Sequence, residues 1–84
     1  MKFNFPELEP SKRLTLKHYA EHIIEEIQEF QKARTKQKKA EELIDVLHAT
    51  ETLVRKYFLR NSQFCPDTII RQVKAKNKKR GYYI

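Results

Sequence analysis

The chain of 84 residues contains one Gly, three Pro, one Cys and no Trp. So little Gly and Pro leaves too few turn formers for the many short strands and tight turns of a sandwich or barrel. A lone cysteine, Cys65, has no partner for an internal disulfide, which fits a reducing compartment. Nowhere is there an apolar run long enough to span a bilayer, and the start, MKFNFPELEPSKR, carries Pro and charge where a secretory signal needs an apolar stretch. The expectation is a cytoplasmic protein with no membrane segment. A domain this small buries a modest fraction of its surface, so a partner subunit is expected to complete its core.

Charge is abundant. Charged residues make up 35% of the chain and hydrophobic ones 39%, with a formal net charge of +7. An excess of Lys and Arg draws polyanions, which fits a nucleotide or a nucleic acid equally. The distribution says more, because acidic residues concentrate between Glu21 and Asp45 while basic ones cluster at Lys32 to Lys39 and Arg71 to Arg80. That is not a uniform nucleic-acid-binding face.

The hydropathy pattern predicts an all-α fold. Residues 1–14 read as an extended arm whose Phe3, Phe5 and Leu8 can lie on a neighbour, residues 15–80 as a helical core and 81–84 as a tail. From about Thr15, a natural N-cap, Leu16, Ala20, Ile23, Ile27 and Phe30 recur at spacings of four and three, as one buried seam of a helix requires. The polar segment Ala33 to Lys39 reads as a turn, and a second helix is predicted from about Lys39 to Phe58. This helix carries two apolar rows, Leu43/Leu47/Thr50/Val54 and Val46/Ala49/Leu53, so it should be covered on two sides. After the loop Arg60 to Pro66, Asp67 or Thr68 can cap a third helix anchored by Ile69, Ile70 and Val73, ending near Arg80 with Gly81 as its stop. The predicted architecture is an antiparallel hairpin plus a C-terminal helix, completing a four-helix-bundle-like core by oligomerisation.

The chemistry concentrates in EEIQE (Glu25 to Glu29) and EELID (Glu41 to Asp45). Glu26 and Glu29, and Glu42 and Asp45, are each three residues apart and share a helix face. Facing residues of an antiparallel hairpin have a constant sum. The two pairs are in register, since 26 + 45 and 29 + 42 are both 71. With helix axes about 8–10 Å apart, inward carboxylates from both sides can share one cation. Oxygen donors of this kind suit Mg²⁺, which completes its octahedron with water and phosphate oxygens. The alternative is two solvated charged faces, with Glu29 near Lys32 and Glu42 near Lys38 or Lys39 in weak surface pairs.

EEIQEFQKA, the short basic turn, AEELIDVLHAT and the C-terminal KNKKRGYY together resemble the MazG-like family of all-α nucleotide pyrophosphohydrolases. The resemblance runs from the first helix to the C-terminus. It implies Mg²⁺ bound by Glu26, Glu29, Glu42 and Asp45, which would also be the catalytic set, and hydrolysis of an NTP or dNTP to monophosphate and pyrophosphate by a homo-oligomer, a dimer or tetramer. It also implies phosphate or ligand contacts from Asn77 and a nearby cation. Lys74 and Arg80 stand on the same side of the third helix, and Arg suits bidentate phosphate contacts. His22 and His48 flank the carboxylates at helical spacing. Histidine is a poor Mg²⁺ ligand, so both are read as making local hydrogen bonds. Tyr82 and Tyr83 could stack on a base, although packing of the tail is the reading preferred. Cys65, beside Pro66 with no paired histidine, is not read as a nucleophile. Two other functions stay open, a basic helical nucleic-acid-binding module and an inactive oligomeric scaffold of the same fold.

Overall fold

A computed structural model describes residues 5–6 and 15–84. It is all-helical among these residues, with α1 at Leu16–Lys32, α2 at Lys36–Arg60 and α3 at Pro66–Lys79. Phe3 and Leu8, two of the three apolar groups read in the arm, lie outside the described residues.

Thr15 caps α1 as the sequence predicts, its Oγ1 accepting from the His18 amide at 3.3 Å. The turn is shorter than expected. Thr35 takes a hydrogen bond from the Lys38 amide at 3.0 Å and so caps α2, which starts at Lys36 and draws half of the predicted turn into the helix. With no Gly or Pro between Lys36 and Lys39, nothing in that segment opposes helix. Lys39 then ties the two helices across the turn, with Nζ donating to the Phe30 carbonyl at 3.3 Å and lying 5.1 Å from the Phe30 ring centroid. α1 and α2 form the antiparallel hairpin.

The seam of this hairpin is more polar than the apolar rows suggest. Tyr19 and Ala49 are the buried hydrophobic residues, and Glu42, Glu51, Thr52 and Lys56 are buried beside them. Tyr19 and Glu26 on α1 with Ala33 at its C-cap, and Glu42, Ala49 and Lys56 on α2, follow one another at seven-residue steps along the seam. The apolar rows are rotated partly off this line. Ile27 is exposed, and Leu43 retains 53% of its accessible surface. The Leu43 end of the first apolar row is therefore not covered by α1.

The expected cap of α3 also moves. Cys65 occupies the N-cap position and Pro66 the first turn, where a missing N–H costs nothing and φ is already helical. Asp67 thus lies inside the first turn, where its charge complements the helix dipole. The far end follows expectation. The Tyr82 amide donates to the Asn77 carbonyl and the Gly81 amide to the Lys78 carbonyl, both at 3.0 Å, with Gly81 at φ 75°. α3 packs loosely on the hairpin, and a cleft between its Pro66, Ile69, Ile70 and Val73 and the Val54 and Phe58 side chains of α2 stays open. No helix of the described residues is long and apolar enough to cross a membrane.

Candidate functional site

Helical periodicity decides which carboxylates meet. At 100° per residue, positions three apart differ by 60° around the helix, so a pair can straddle a seam or place one member on it. Glu42 sits buried on the seam of α2 with exposed Asp45 to one side of it, and Glu26 meets them from α1. One carboxylate oxygen from each of the three lies within 4.8 Å of the other two. Glu29, the fourth residue of the predicted set, is exposed and outside this group.

Two of the three carboxylates have counter-charges or donors. His22 Nε2 lies 3.0 Å from Glu26 Oε1, and Lys38 Nζ lies 3.2 Å from Glu42 Oε1. Glu42 holds the Lys38 ammonium above its ordinary range, first by that hydrogen bond and then by Coulomb attraction, with Glu41 adding to it. Asp45 has no hydrogen-bond or ion-pair partner among the described residues and is the carboxylate left to repel its neighbours.

A pocket of ≈ 230 Å³ opens on this cluster, lined by His22, Glu26, Asp45, His48 and Ala49. Both histidines therefore border the carboxylates, and His22 makes the local hydrogen bond expected of it, whereas the partner of His48 is 42 residues away in sequence. His48 Nε2 is 3.0 Å from the Pro6 carbonyl. The three residues read as ligand contacts lie elsewhere. Lys74 lines the cleft between α2 and α3, Asn77 is half-buried with its carbonyl in the helix cap, and Arg80 is the exposed C-cap. Within one chain, none of them lines the carboxylate pocket. Tyr82 and Tyr83 are exposed.

Beside His48, the structure adds residues that the motifs did not single out, Glu51 and Arg55. His48, Glu51 and Arg55 form one stripe of α2 that grips the arm. The Phe5 ring stacks on His48 at 4.5 Å between centroids and 19° between planes. Glu51 Oε1 accepts from the Phe5 amide at 3.3 Å, and Arg55 donates to the Phe5 carbonyl at 2.7 Å while pairing with Glu51. Glu51 is completely buried, with its second oxygen unpartnered among the described residues. The contacts span 42 to 50 residues of sequence, so no local spacing announces them. A Glu at i and an Arg at i+4 are ordinary helix-surface neighbours.

Compared with known proteins, the chain matches no family model, no curated protein and no solved structure.

Proposed function

We propose that the chain is a Mg²⁺-dependent nucleoside triphosphate pyrophosphohydrolase whose metal is held by Glu26, Glu42 and Asp45, with Glu29 beside them. The observation that carries this reading is the convergence of three carboxylates from two helices to within 4.8 Å. Ligand oxygens on octahedral Mg²⁺ stand about 3 to 4 Å apart at metal–oxygen distances of about 2.1 Å, so side-chain rotation alone can close the set around the ion. Clustered like charges oppose folding unless a cation or proton joins them. Lys38 and His22 supply part of that compensation and would yield to a divalent ion.

Bound there, Mg²⁺ would polarise the phosphoryl oxygens and neutralise charge on the leaving pyrophosphate. The carboxylates fix where the triphosphate docks, and the pocket beside them has room for the attacking water. Water adds its oxygen to the α-phosphorus as the bond to the β-bridging oxygen breaks, and its proton leaves to solvent or a pocket base. Lys74, Asn77 and Arg80 do not line the pocket within one chain, and a second copy would bring them to it. Exposed Leu43, Ile44, Ile70 and Val73 favour such a copy, which would turn the hairpin and its mate into a four-helix bundle. The same acidic seam counts against a nucleic-acid-binding module, because it repels backbone phosphates.

The test is pyrophosphate release from a panel of ribo- and deoxyribonucleoside triphosphates. Release that needs Mg²⁺ and falls at least a hundredfold in Asp45→Asn supports the reading. Absence of release from every member of the panel rejects it.

A further inference from the structure

The arm contacts constrain the hydrogens of the pocket. A neutral imidazole has one N–H and one bare nitrogen, whereas a carbonyl oxygen can only accept. The hydrogen bond of His48 Nε2 with the Pro6 carbonyl at 3.0 Å therefore requires that Nε2 carry the proton. Nδ1 is then the bare acceptor. The ring cannot easily turn away, because the Phe5 ring is stacked on it and the Phe5 main chain is held at both its N–H and its C=O by Glu51 and Arg55. Glu51 itself is fixed by complete burial.

His48 also lines the pocket that Glu26 and Asp45 share. Its other nitrogen-bearing neighbour there, His22, meets the Glu26 carboxylate through Nε2, and a carboxylate likewise accepts. A carboxylate oxygen bound to a cation has given that lone pair to the metal and is a weaker acceptor for water. A neutral imidazole nitrogen keeps its lone pair. From this arrangement we propose that the N-terminal strap of Phe5 and Pro6 is a positioning device. It locks His48 in the Nε2–H tautomer so that Nδ1 accepts a hydrogen bond from water in the carboxylate pocket and orients it. His48, rather than a metal-holding carboxylate, thereby aims the attacking water. The catalytic half of this inference rests on the proposed Mg²⁺ site, and the tautomer half stands without it.

Nitrogen-15 NMR of histidine-labelled full-length protein at pH 8, above the ordinary histidine range of about 6.5, tests it. The His48 signals are assigned by their loss in His48→Gln. The expected wild-type pattern is a protonated Nε2 and a bare Nδ1. In Phe5→Ala, shown by circular dichroism to keep its helices and by unchanged His22 signals to keep its pocket, His48 is expected to relax to the mixed tautomers of a free histidine. Mg²⁺ is expected to shift Nδ1 and leave Nε2 in place. A protonated Nδ1 in the wild type, or an unchanged tautomer in Phe5→Ala, overturns the proposal. So does an unmoved Nδ1 when Mg²⁺ raises the unfolding midpoint. If Mg²⁺ leaves that midpoint unchanged, the metal reading fails instead, and the first two spectra still decide the strap.

Discussion

Replacing Asp45 by Asn should make the metal-free protein more stable and the Mg²⁺-loaded protein less stable than the wild type. Asp45 faces Glu26 and Glu42 with ligand oxygens within 4.8 Å and has no hydrogen-bond or ion-pair partner among the described residues, although the Lys38 ammonium, paired to Glu42, attracts it from farther off. Two carboxylate charges at that distance repel by about 0.9 kcal/mol in bulk water and about 3.5 kcal/mol at an effective dielectric of 20. Asp45 is exposed, so the lower figure applies, and two such pairs reduced by salt leave about 1 kcal/mol. Asn and Asp have similar helix propensities, so the substitution changes little besides charge. For a domain of this size the unfolding midpoint in EDTA should rise by about 4–8 °C. Mg²⁺ at a hundred times its Kd adds about 2.7 kcal/mol to the wild type alone, which reverses the order. Thermal unfolding at pH 8 and one fixed chain concentration reads both effects. A lower midpoint for Asp45→Asn in EDTA, or equal Mg²⁺ responses in the two proteins, would refute the reasoning.

Arg55→Ala leaves the buried Glu51 carboxylate with the Phe5 amide alone and should cost about 2–4 kcal/mol, while the double variant Glu51→Met with Arg55→Ala should cost less, because no buried charge is stranded; denaturant titration of both checks the order. Gly81→Ala forces a side chain into left-handed backbone and should cost about 1 kcal/mol, with faster amide exchange at Tyr82; nothing stands within 4 Å of the added methyl, so the cost is conformational and a bulkier residue should add little. The Cys65 thiol is held below its ordinary value of 9.0 by the Thr68 amide, then the Thr68 hydroxyl and the Asp67 amide, so thiolate forms at lower pH than in a free cysteine. Alkylation rate against pH should show a midpoint below 9.0, moving upward in Thr68→Val.

The hairpin was legible because its signals are local. Thr15 reads as a cap, the apolar residues recur at helical spacing, and the constant sum of 71 places Glu26 opposite Asp45, whereas Thr35, read as part of the turn, caps α2. The same arithmetic pairs Glu29 with Glu42, yet Glu29 stands outside the carboxylate group, since a shared level along two axes does not fix the angle around them. It also could not show that the seam would run through Tyr19, Glu42, Ala49 and Lys56, a line set by packing between the helices. The strap was invisible for another reason. An arm containing Phe5 can lie on any apolar neighbour, and only the folded hairpin puts His48, Glu51 and Arg55 where its main chain can be held.

Electron paramagnetic resonance of Mn²⁺, standing in for Mg²⁺, tests the central claim most directly, because the sharp signal of the free ion disappears as it binds. The wild type is expected to take up one Mn²⁺ per chain, displaceable by Mg²⁺, and Asp45→Asn is expected to lose that uptake. Mn²⁺ that stays free beside the wild type, or binds Asp45→Asn equally well, would contradict a metal site at Glu26, Glu42 and Asp45.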